Sequence, residues 1–349
     1  MPVLFVVILI AVVSYLLGFP VAKILARLGA VDKPNSRSSH SVPVVRGGGV
    51  AVVLALLAGM TLAGKALLDG SPTIMLAVLG LAAVSFVDDL KSVGSAIRFG
   101  CHLAAAVLAI AVLNLAQATV GFAPEASYPA PLILTWPLAV LWIAGYTNAF
   151  NFMDGINGIA GGQAAITGIG MALLAGLAGG QSNSMPAVWS LALVGATLGF
   201  LPHNFPQARM FMGDVGSAPI GFLLAVLTLW LAKTVGWWLL VPLVLLHANF
   251  VLDTGITLVR RICRGERWYD AHREHFYQRL IRSGKSHPFV TGLEMALQIV
   301  VLGLMVLYLH ASLPMRVGLA ALVILIWLAF FAFCERSFRR SNFGGKAAR

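Results

Sequence analysis

The sequence predicts an all-α polytopic membrane protein of about eleven transmembrane helices. Three observations carry that prediction. Of the 349 residues, 59% are hydrophobic and only 11% are charged, against roughly 25% charged in soluble domains. The mean hydropathy is +0.89. Apolar runs near the ~20-residue spanning length recur from end to end. A transmembrane barrel would show alternating ~10-residue segments instead.

Taken in order, the expected spans cover about 2–19, 48–66, 72–87, 99–119, 131–148, 157–179, 186–201, 217–233, 236–256, 290–310 and 315–333. The first is not a cleavable signal, having neither a basic n-region nor an A-x-A-like site before Phe19-Pro20. One membrane domain is expected over 1–335, followed by a basic tail over 336–349 whose "SNFGGKAAR" end reads as disordered. The longest loop, about 257–289, mixes aromatic and basic residues and suits a helix lying at the membrane surface. No internal repeat or inverted pair of Gly- or Pro-broken spans of the transporter kind stands out. Cys101, Cys263 and Cys334 are scattered, match no metal spacing and read as packing residues.

Orientation follows from the basic residues. All but Lys65, Lys233 and Arg316 of the 24 Lys and Arg fall in one set of loops and in the tail. That set is expected to be cytoplasmic, which puts the N-terminus in the periplasm and the C-terminus in the cytoplasm. The protein would then sit in a bacterial inner membrane. The net charge of +11 reflects this topology, and no nucleic-acid partner is expected. The residues with chemistry gather on the same side. Asp88, Asp89, Asn151, Asp154, His203, Asn204, Asp214, His272 and His275 all lie in these loops or at adjoining span ends, whereas the other side holds Asp69, Glu125 and little else.

Five constellations follow along the chain. "DKPNSRSSHSVPVVRGGG" carries Arg46 before a Gly-rich span start and suggests a backbone anion nest, but it is not a P-loop because no GK[ST] follows. "SFVDDLKSVGSAIR" ends the third span with Asp88 and Asp89. Adjacent carboxylates repel, so one can titrate high while the other stays ionised. An acidic pair at a helix C-terminus also opposes the helix dipole. "NAFNFMDGINGIAGG" places Asn151 and Asp154 three apart, on one face of a helical turn, before glycines that permit close approach. "PHNFPQARMFMGDVGS" offers Asn204 and Phe211 to hydrogen-bond and stack on a planar base. Its Asp214 starts the eighth span, where it either acts chemically or caps the helix. "DAHREHFYQRL" sets His272 and His275 three apart beside Arg273, a pattern suited to metal, to phosphate or to anionic lipid. Asp253, inside the ninth span, is either functional or paired with a buried partner. Separated acids, phosphate-type cations and an aromatic on one face suit Mg²⁺, which takes one or two carboxylates plus substrate phosphates. The set suggests chemistry on a nucleotide diphosphate with a membrane-borne acceptor.

With "VDDL", "NAFNFMDGINGIAGG", "FMGDVGS" and "HREHFYQRL" in this order, the chain resembles the bacterial polyprenyl-phosphate N-acetylhexosamine-1-phosphate transferases (glycosyltransferase family 4). That family includes the undecaprenyl-phosphate GlcNAc-1-phosphate transferases and the phospho-MurNAc-pentapeptide translocases. The resemblance implies that Asp88 and Asp89 form the acidic pair that activates the lipid phosphate and contributes to the metal site. It implies that Asn151 and Asp154 are the polar residues of the N-x-x-D-G motif, and that Asp214 is the Mg²⁺ ligand, with Mn²⁺ as a substitute. Phe211 and Asn204 would meet the uracil ring. His272, Arg273 and His275 would lie near the diphosphate and sugar. Two departures stand out. Asn157 replaces the second acid found after D-G in many members, and H-R-E-H-F-Y-Q-R-L replaces the triple histidine of the MurNAc-pentapeptide enzymes. The second points to the branch that starts O-antigen or other surface polysaccharides, with deoxy-N-acetylhexosamines such as FucNAc or QuiNAc favoured and GlcNAc as the alternative.

The expected reaction is attack of the undecaprenyl phosphate oxygen on the β-phosphorus of a UDP-N-acetylhexosamine, releasing UMP. Asp88, Asp89, Asp154 and His272 are the expected catalytic residues and Asp214 and Asp89 the metal ligands. Asn151, Asn157, Asn204, Phe211, Arg46, Arg273 and His275 are expected to bind substrate. A covalent aspartyl-phosphate route is the other option. Partners are the two substrates and the lipid bilayer, and a homodimer is compatible with this reading. A secondary transporter, the rival from another class, would want acids or broken helices near the bilayer midplane, whereas these acids lie at one face.

Overall fold

The computed structural model describes residues 3–34, 42–62, 64, 70–91, 93–115, 118–181, 184–267 and 272–344. Arg37, Lys65, Asp69, Lys346 and Arg349 fall outside them. In chain order the helices are α1 (Val3–Arg27), α2 (Gly49–Leu62), α3 (Ser71–Leu90), α4 (Ser95–Leu113), α5 (Leu132–Met153), α6 (Ile159–Leu177), α7 (Met185–Asn204), α8 (Asp214–Val235), α9 (Leu240–Leu245), α10 (Ala248–Cys263), α11 (Phe276–Arg282), α12 (His287–Leu309) and α13 (Leu313–Gly344). Five short strands join them: β1 (Val31–Asp32), β2 (Val44–Arg46), β3 (Thr119–Gly121), β4 (Ser127–Pro129) and β5 (Met210–Phe211). The chain is an all-α multi-pass membrane protein.

Each of the eleven expected spans meets a helix, but not all cross alike. Among the described residues nine helices are long and apolar enough to span: α1, α3 to α8, α12 and α13. The second expected span, 48–66, is the 14-residue α2. The ninth, 236–256, is broken. The segment Trp237–Leu245 and α10 meet at an angle of 69°. This break has no Gly or Pro at the bend itself, and the donors that hold it come from α6 and α12.

Burial ranks the helices. Every residue in the apolar window of α8 is buried, against 78% for α7, 67% for α6 and 22–33% for the remaining full-length spans. α8 is therefore the axis of the bundle, and its small residues allow that. A Cβ on Gly221 would stand 2.6 Å from the Cβ of Phe150 on α5, so the two helices meet nearly backbone to side-chain root.

Two expectations about the end of the chain change. Within the expected surface loop 257–289 the described residues place α10 up to Cys263 and then α11, whose Phe276 is buried and stacks on Phe331 of α13 at 4.5 Å. The expected boundary at 335 falls within α13, which continues without a break to Gly344. Phe338 lies beneath the Arg282 guanidinium, 4.7 Å from its carbon, so the helix beyond 335 is part of the packed structure.

A three-stranded sheet, in the order β1-β2-β5, lies at the end of the bundle that carries the acids. β2 and β5 run parallel, with Arg46 opposite Phe211. Continuing that ladder, Gly48 and Gly49 donate their N–H groups to the carbonyls of Phe211 and Met212, both at 2.8 Å. The expected anion nest is thus corrected, because these N–H groups are already used. The glycines serve close packing instead: a Cβ on Gly49 would lie 2.1 Å from Gly216 Cα. The strand pair and this contact carry Arg46 to the start of α8.

Candidate active site

The start of α8 gathers most of the predicted residues. Its first backbone N–H groups lack intrahelical partners, and α3 supplies them. Asp89 accepts from Asp214 N at 3.1 Å and from Val215 N at 3.0 Å, and Arg46 Nε lies 2.7 Å from Asp89 Oδ1. The Asp89 side chain is 1% exposed. An acid that opposes the dipole of its own helix therefore sits at the favourable end of another. The sequence suggests catalysis and metal binding for Asp89, and the structure shows it in these contacts. Both its oxygens hold α8 and Arg46, so it positions the site.

Asp214 gains what Asp89 gives up. It opens α8 without capping it, since no side chain of the helix's own N-cap, Gly213, does so. Its Oδ1 accepts from Arg46 at 2.6 Å, and its Oδ2 from Arg98 at 3.1 Å and from Asn151 Nδ2 at 3.3 Å. Asn151 Oδ1 in turn accepts from Ser217 at 2.5 Å. Asp88 accepts from Val93 N at 2.6 Å and from Arg98 at 3.0 Å. Arg98 thus bridges Asp88 and Asp214. Arg98 and Ser217 were not singled out in the sequence, although Arg98 closes the same "DDLKSVGSAIR" stretch. A cation spaced for one turn into α4 was the available signal.

Asp154 follows the last turn of α5, three residues from Asn151 as expected, with its N–H on Asn151 O at 3.3 Å. Its carboxyl is pushed up to about 7, first by withdrawal from water and then by the charge of Asp214, with Arg46 opposing. Among the described residues it enters none of the ion pairs that engage Asp88, Asp89 and Asp214.

The residues present fit a hard divalent cation. Four carboxylates face two guanidinium groups, Arg46 and Arg98, which leaves two negative charges when all four acids are ionised. Asp88 and Asp214 each place an oxygen on Arg98 Nη1, at 3.0 and 3.1 Å, and so flank one cationic position. No three His, Cys, Asp or Glu side chains among the described residues gather on one point. Mg²⁺ does not need that, because it takes one or two carboxylates and fills its octahedron with water and phosphate.

The histidine motif forms a second region. Residues 272–275 precede α11 rather than lying on it, yet the His272 and His275 rings are 4.8 Å apart. His275 is 3% exposed, with Nδ1 2.9 Å from Asp253 Oδ1. Asp253 Oδ2 accepts from Phe276 N at 2.9 Å and from Tyr277 N at 3.4 Å. The intramembrane acid thus has a buried partner, and His275, expected to contact substrate, has its ring held against α10. His272 is half-buried. Burial, then the neighbouring His275 and Arg261, lower its pKa to about 4, so it is neutral near pH 7. Its Nδ1 faces Glu274 N at 3.4 Å, which leaves Nε2–H as a donor. Arg273 is half-buried, its carbonyl accepting from Arg282. The two regions meet where Tyr277 donates to Phe152 O at 3.2 Å.

The expected base-binding residues divide. Phe211 is half-buried beside Arg46 in the strand pair. Asn204 is 4% exposed and used at both ends, accepting from Gly158 N at 2.7 Å and donating to Met210 O at 3.0 Å. Expected to meet uracil, it ties the glycine turn to β5 in this structure. Asn157 donates to Pro206 O at 3.1 Å at an exposed position, while its carbonyl accepts from Thr291 at 2.8 Å.

Two apolar grooves are lined in part by residues next in sequence to Asp214 and Arg98. One, about 390 Å³, runs between α1, α2 and α3 and ends at Phe86 and Val215. The other, about 470 Å³, lies between α4 and α5 and begins at Phe99, next to Arg98.

Comparison with known proteins agrees with the geometry. Residues 71–232, which hold Asp88 through Asp214, match the model of "Glycosyl transferase family 4". A probable undecaprenyl-phosphate N-acetylglucosaminyl 1-phosphate transferase of Bacillus subtilis is 30% identical, with 80% of this chain and 77% of that protein covered. A decaprenyl-phosphate N-acetylglucosaminephosphotransferase of Mycobacterium tuberculosis is 31% identical over 79% and 75%. A phospho-N-acetylmuramoyl-pentapeptide-transferase of Gluconacetobacter diazotrophicus is 32% identical over 60% and 66%. Relatives matched along most of both chains, with the acids of α3, α5 and α8 inside the matched region, identify this chain as a member of glycosyl transferase family 4.

Proposed function

We propose that the protein transfers N-acetylhexosamine-1-phosphate from a UDP-sugar to undecaprenyl phosphate, giving undecaprenyl-diphospho-sugar and UMP, at the cytoplasmic face of a bacterial inner membrane. The observation that carries this reading is the meeting of Asp88, Asp214, Asn151, Arg46 and Arg98 at the start of α8, with apolar grooves lined in part by the chain neighbours Val215 and Phe99. A lipid phosphate and a water-soluble diphosphate need such a meeting of charge and apolar surface. The named relatives support a prenyl-phosphate acceptor.

Each residue then has a task. Asp214, with Asp88, would hold Mg²⁺, which when bound neutralises the diphosphate. Arg46 and Arg98 are the phosphate-type cations, and each would turn from a carboxylate towards a phosphate as substrate enters. Asn151, fixed by Ser217, orients Asp214. Asp88 takes a proton from the acceptor where that phosphate carries one, and otherwise aligns it for attack on the β-phosphorus. Asp154 stands at the edge of the same cluster. His272 offers Nε2–H towards the diphosphate and sugar, with Arg273 beside it. Phe211 stacks on the uracil.

The sugar is the finer part of the proposal. The relatives' names bring N-acetylglucosamine forward. The departures at Asn157 and in the histidine motif keep the deoxy-N-acetylhexosamines and surface-polysaccharide initiation in view. Purified protein incubated with undecaprenyl phosphate, Mg²⁺ and UDP-GlcNAc, UDP-FucNAc or UDP-QuiNAc is expected to release UMP with at least one donor. Absence of UMP with every donor overturns the transferase reading.

A further inference from the structure

A polar cluster unrelated to the acids of α8 lies within the membrane-spanning bundle, at the break between α9 and α10. A broken helix leaves backbone groups without their usual partners. Here the carbonyl of Leu246 accepts from Gln163 Nε2 at 3.0 Å, Gln298 Nε2 at 2.6 Å and Thr167 Oγ1 at 3.3 Å. Asn249 Nδ2 donates to Gln163 Oε1 at 2.9 Å, and Asn249 also meets Glu294. The amide donors are thus turned onto the break and onto one another.

Their oxygens are left over. Asn249 Oδ1, Gln298 Oε1 and Glu294 Oε2 are buried with no hydrogen-bond partner, on side chains 1%, 0% and 1% exposed. All three are acceptors. Glu294 and Gln298 stand one turn apart on α12, and Asn249 and Gln163 join them to the break. The nearest further acid, Asp253, is one turn along α10 and already engaged by His275 and two N–H groups. A buried unpaired acceptor costs free energy of ~1–3 kcal/mol, and a buried carboxylate more. A proton on Glu294 supplies one donor for three acceptors. A monovalent cation among these oxygens would satisfy acceptors that one proton cannot and would balance the single carboxylate, whereas a divalent ion would leave an excess positive charge in the bundle. Broken helices in membrane transporters coordinate sodium through unwound backbone carbonyls; here the carbonyl at the break is already used and the free oxygens are those of the side chains.

We infer that Asn249, Glu294 and Gln298 form a binding site for a monovalent metal cation, sodium by size of probe, that stabilises the bend between α9 and α10. The inference does not depend on the proposed transferase activity. It is tested on the full-length protein in detergent without substrates. Thermal unfolding is followed as NaCl replaces N-methyl-D-glucamine chloride at constant ionic strength, and ²²Na⁺ retention is measured by equilibrium dialysis. Sodium is expected to raise the melting temperature by about 2 °C at tenfold excess over its dissociation constant, and further with the logarithm of its concentration. Glu294→Gln, which keeps the shape and loses the charge, is expected to abolish both the shift and the retention, whereas Asp214→Asn keeps them. Identical melting curves in the two salts, no ²²Na⁺ retained by the wild type, or an unchanged shift in Glu294→Gln would each overturn the site. If Glu294→Gln fails to fold, retention by the wild type and its loss in Gln298→Leu decide the matter.

Discussion

The starts of α8 and α11 are built by the same device and left in opposite states. In each, a carboxylate from another helix accepts the first two backbone N–H groups: Asp89 for α8, Asp253 for α11. In each, a basic side chain completes the carboxylate, Arg46 in one and His275 in the other. At α11 the surrounding charges then close on themselves. Arg279 is 8% exposed and held by Glu274 and Glu335. At α8 a further acid, Asp214, projects past the cap, and its two guanidinium partners are 37% and 31% exposed. A capped helix start is thus a fold element by default. It becomes a reaction centre where charge remains beyond the cap and water or substrate can reach it.

The sharpest test of this difference is Asp214→Asn. Turnover, measured as UMP release, is expected to fall roughly a hundredfold to a thousandfold with little change in melting temperature. Near-normal turnover would remove Asp214 from the metal site. Asp89→Ala should instead lose stability together with activity. It strands two N–H groups and half of Arg46's pairing, a cost of about 1–3 kcal/mol after allowing for the partial exposure of Arg46. An unchanged melting temperature would show that Asp89 is not the cap.

At α11 the expected effects are smaller and separable. His272→Ala is expected to lower turnover roughly tenfold, the value of one hydrogen bond to a charged group, at unchanged melting temperature. His275→Ala is expected to lower the melting temperature first, and the reverse pattern would exchange their roles. The smallest effect concerns Asp154. Its carboxyl, pushed up to about 7, favours the fold fully below its unfolded value near 4, and that contribution fades as the pH rises through about 7. In EDTA, Asp154→Asn should therefore gain melting temperature increasingly between pH 5 and pH 8. A gain independent of pH would contradict the raised value.

How much of this was legible depends on distance along the chain. The all-α membrane class and the positions of eleven apolar segments are local properties, and they stand. The shared cluster of Asp88, Asn151, Asp154 and Asp214 was also readable, because the motifs lie at span ends on one side. The split between Asp88 and Asp89 was not. Adjacent residues look alike in sequence, and only the approach of α8 decides which one caps and which one faces outward. The bend at 246–247 was missed for the same reason: its support comes from Gln163 and Gln298, 83 and 52 positions away from Leu246. Asn204 and His275 read as ligand contacts because their chemistry permits it, and only the fold shows the internal ties they also make, to the backbone of Gly158 and Met210 for one and to the Asp253 carboxylate for the other.

The contact between Gly49 and Gly216 has a consequence for rate as well as for shape. Two backbones meeting without side chains fix, through main-chain hydrogen bonds, the separation of the strand that carries Arg46 and the helix start that carries Asp214. The side chains exchange partners as substrate enters while their anchor points stay in place, so part of the reorganisation that water would demand is met during folding instead.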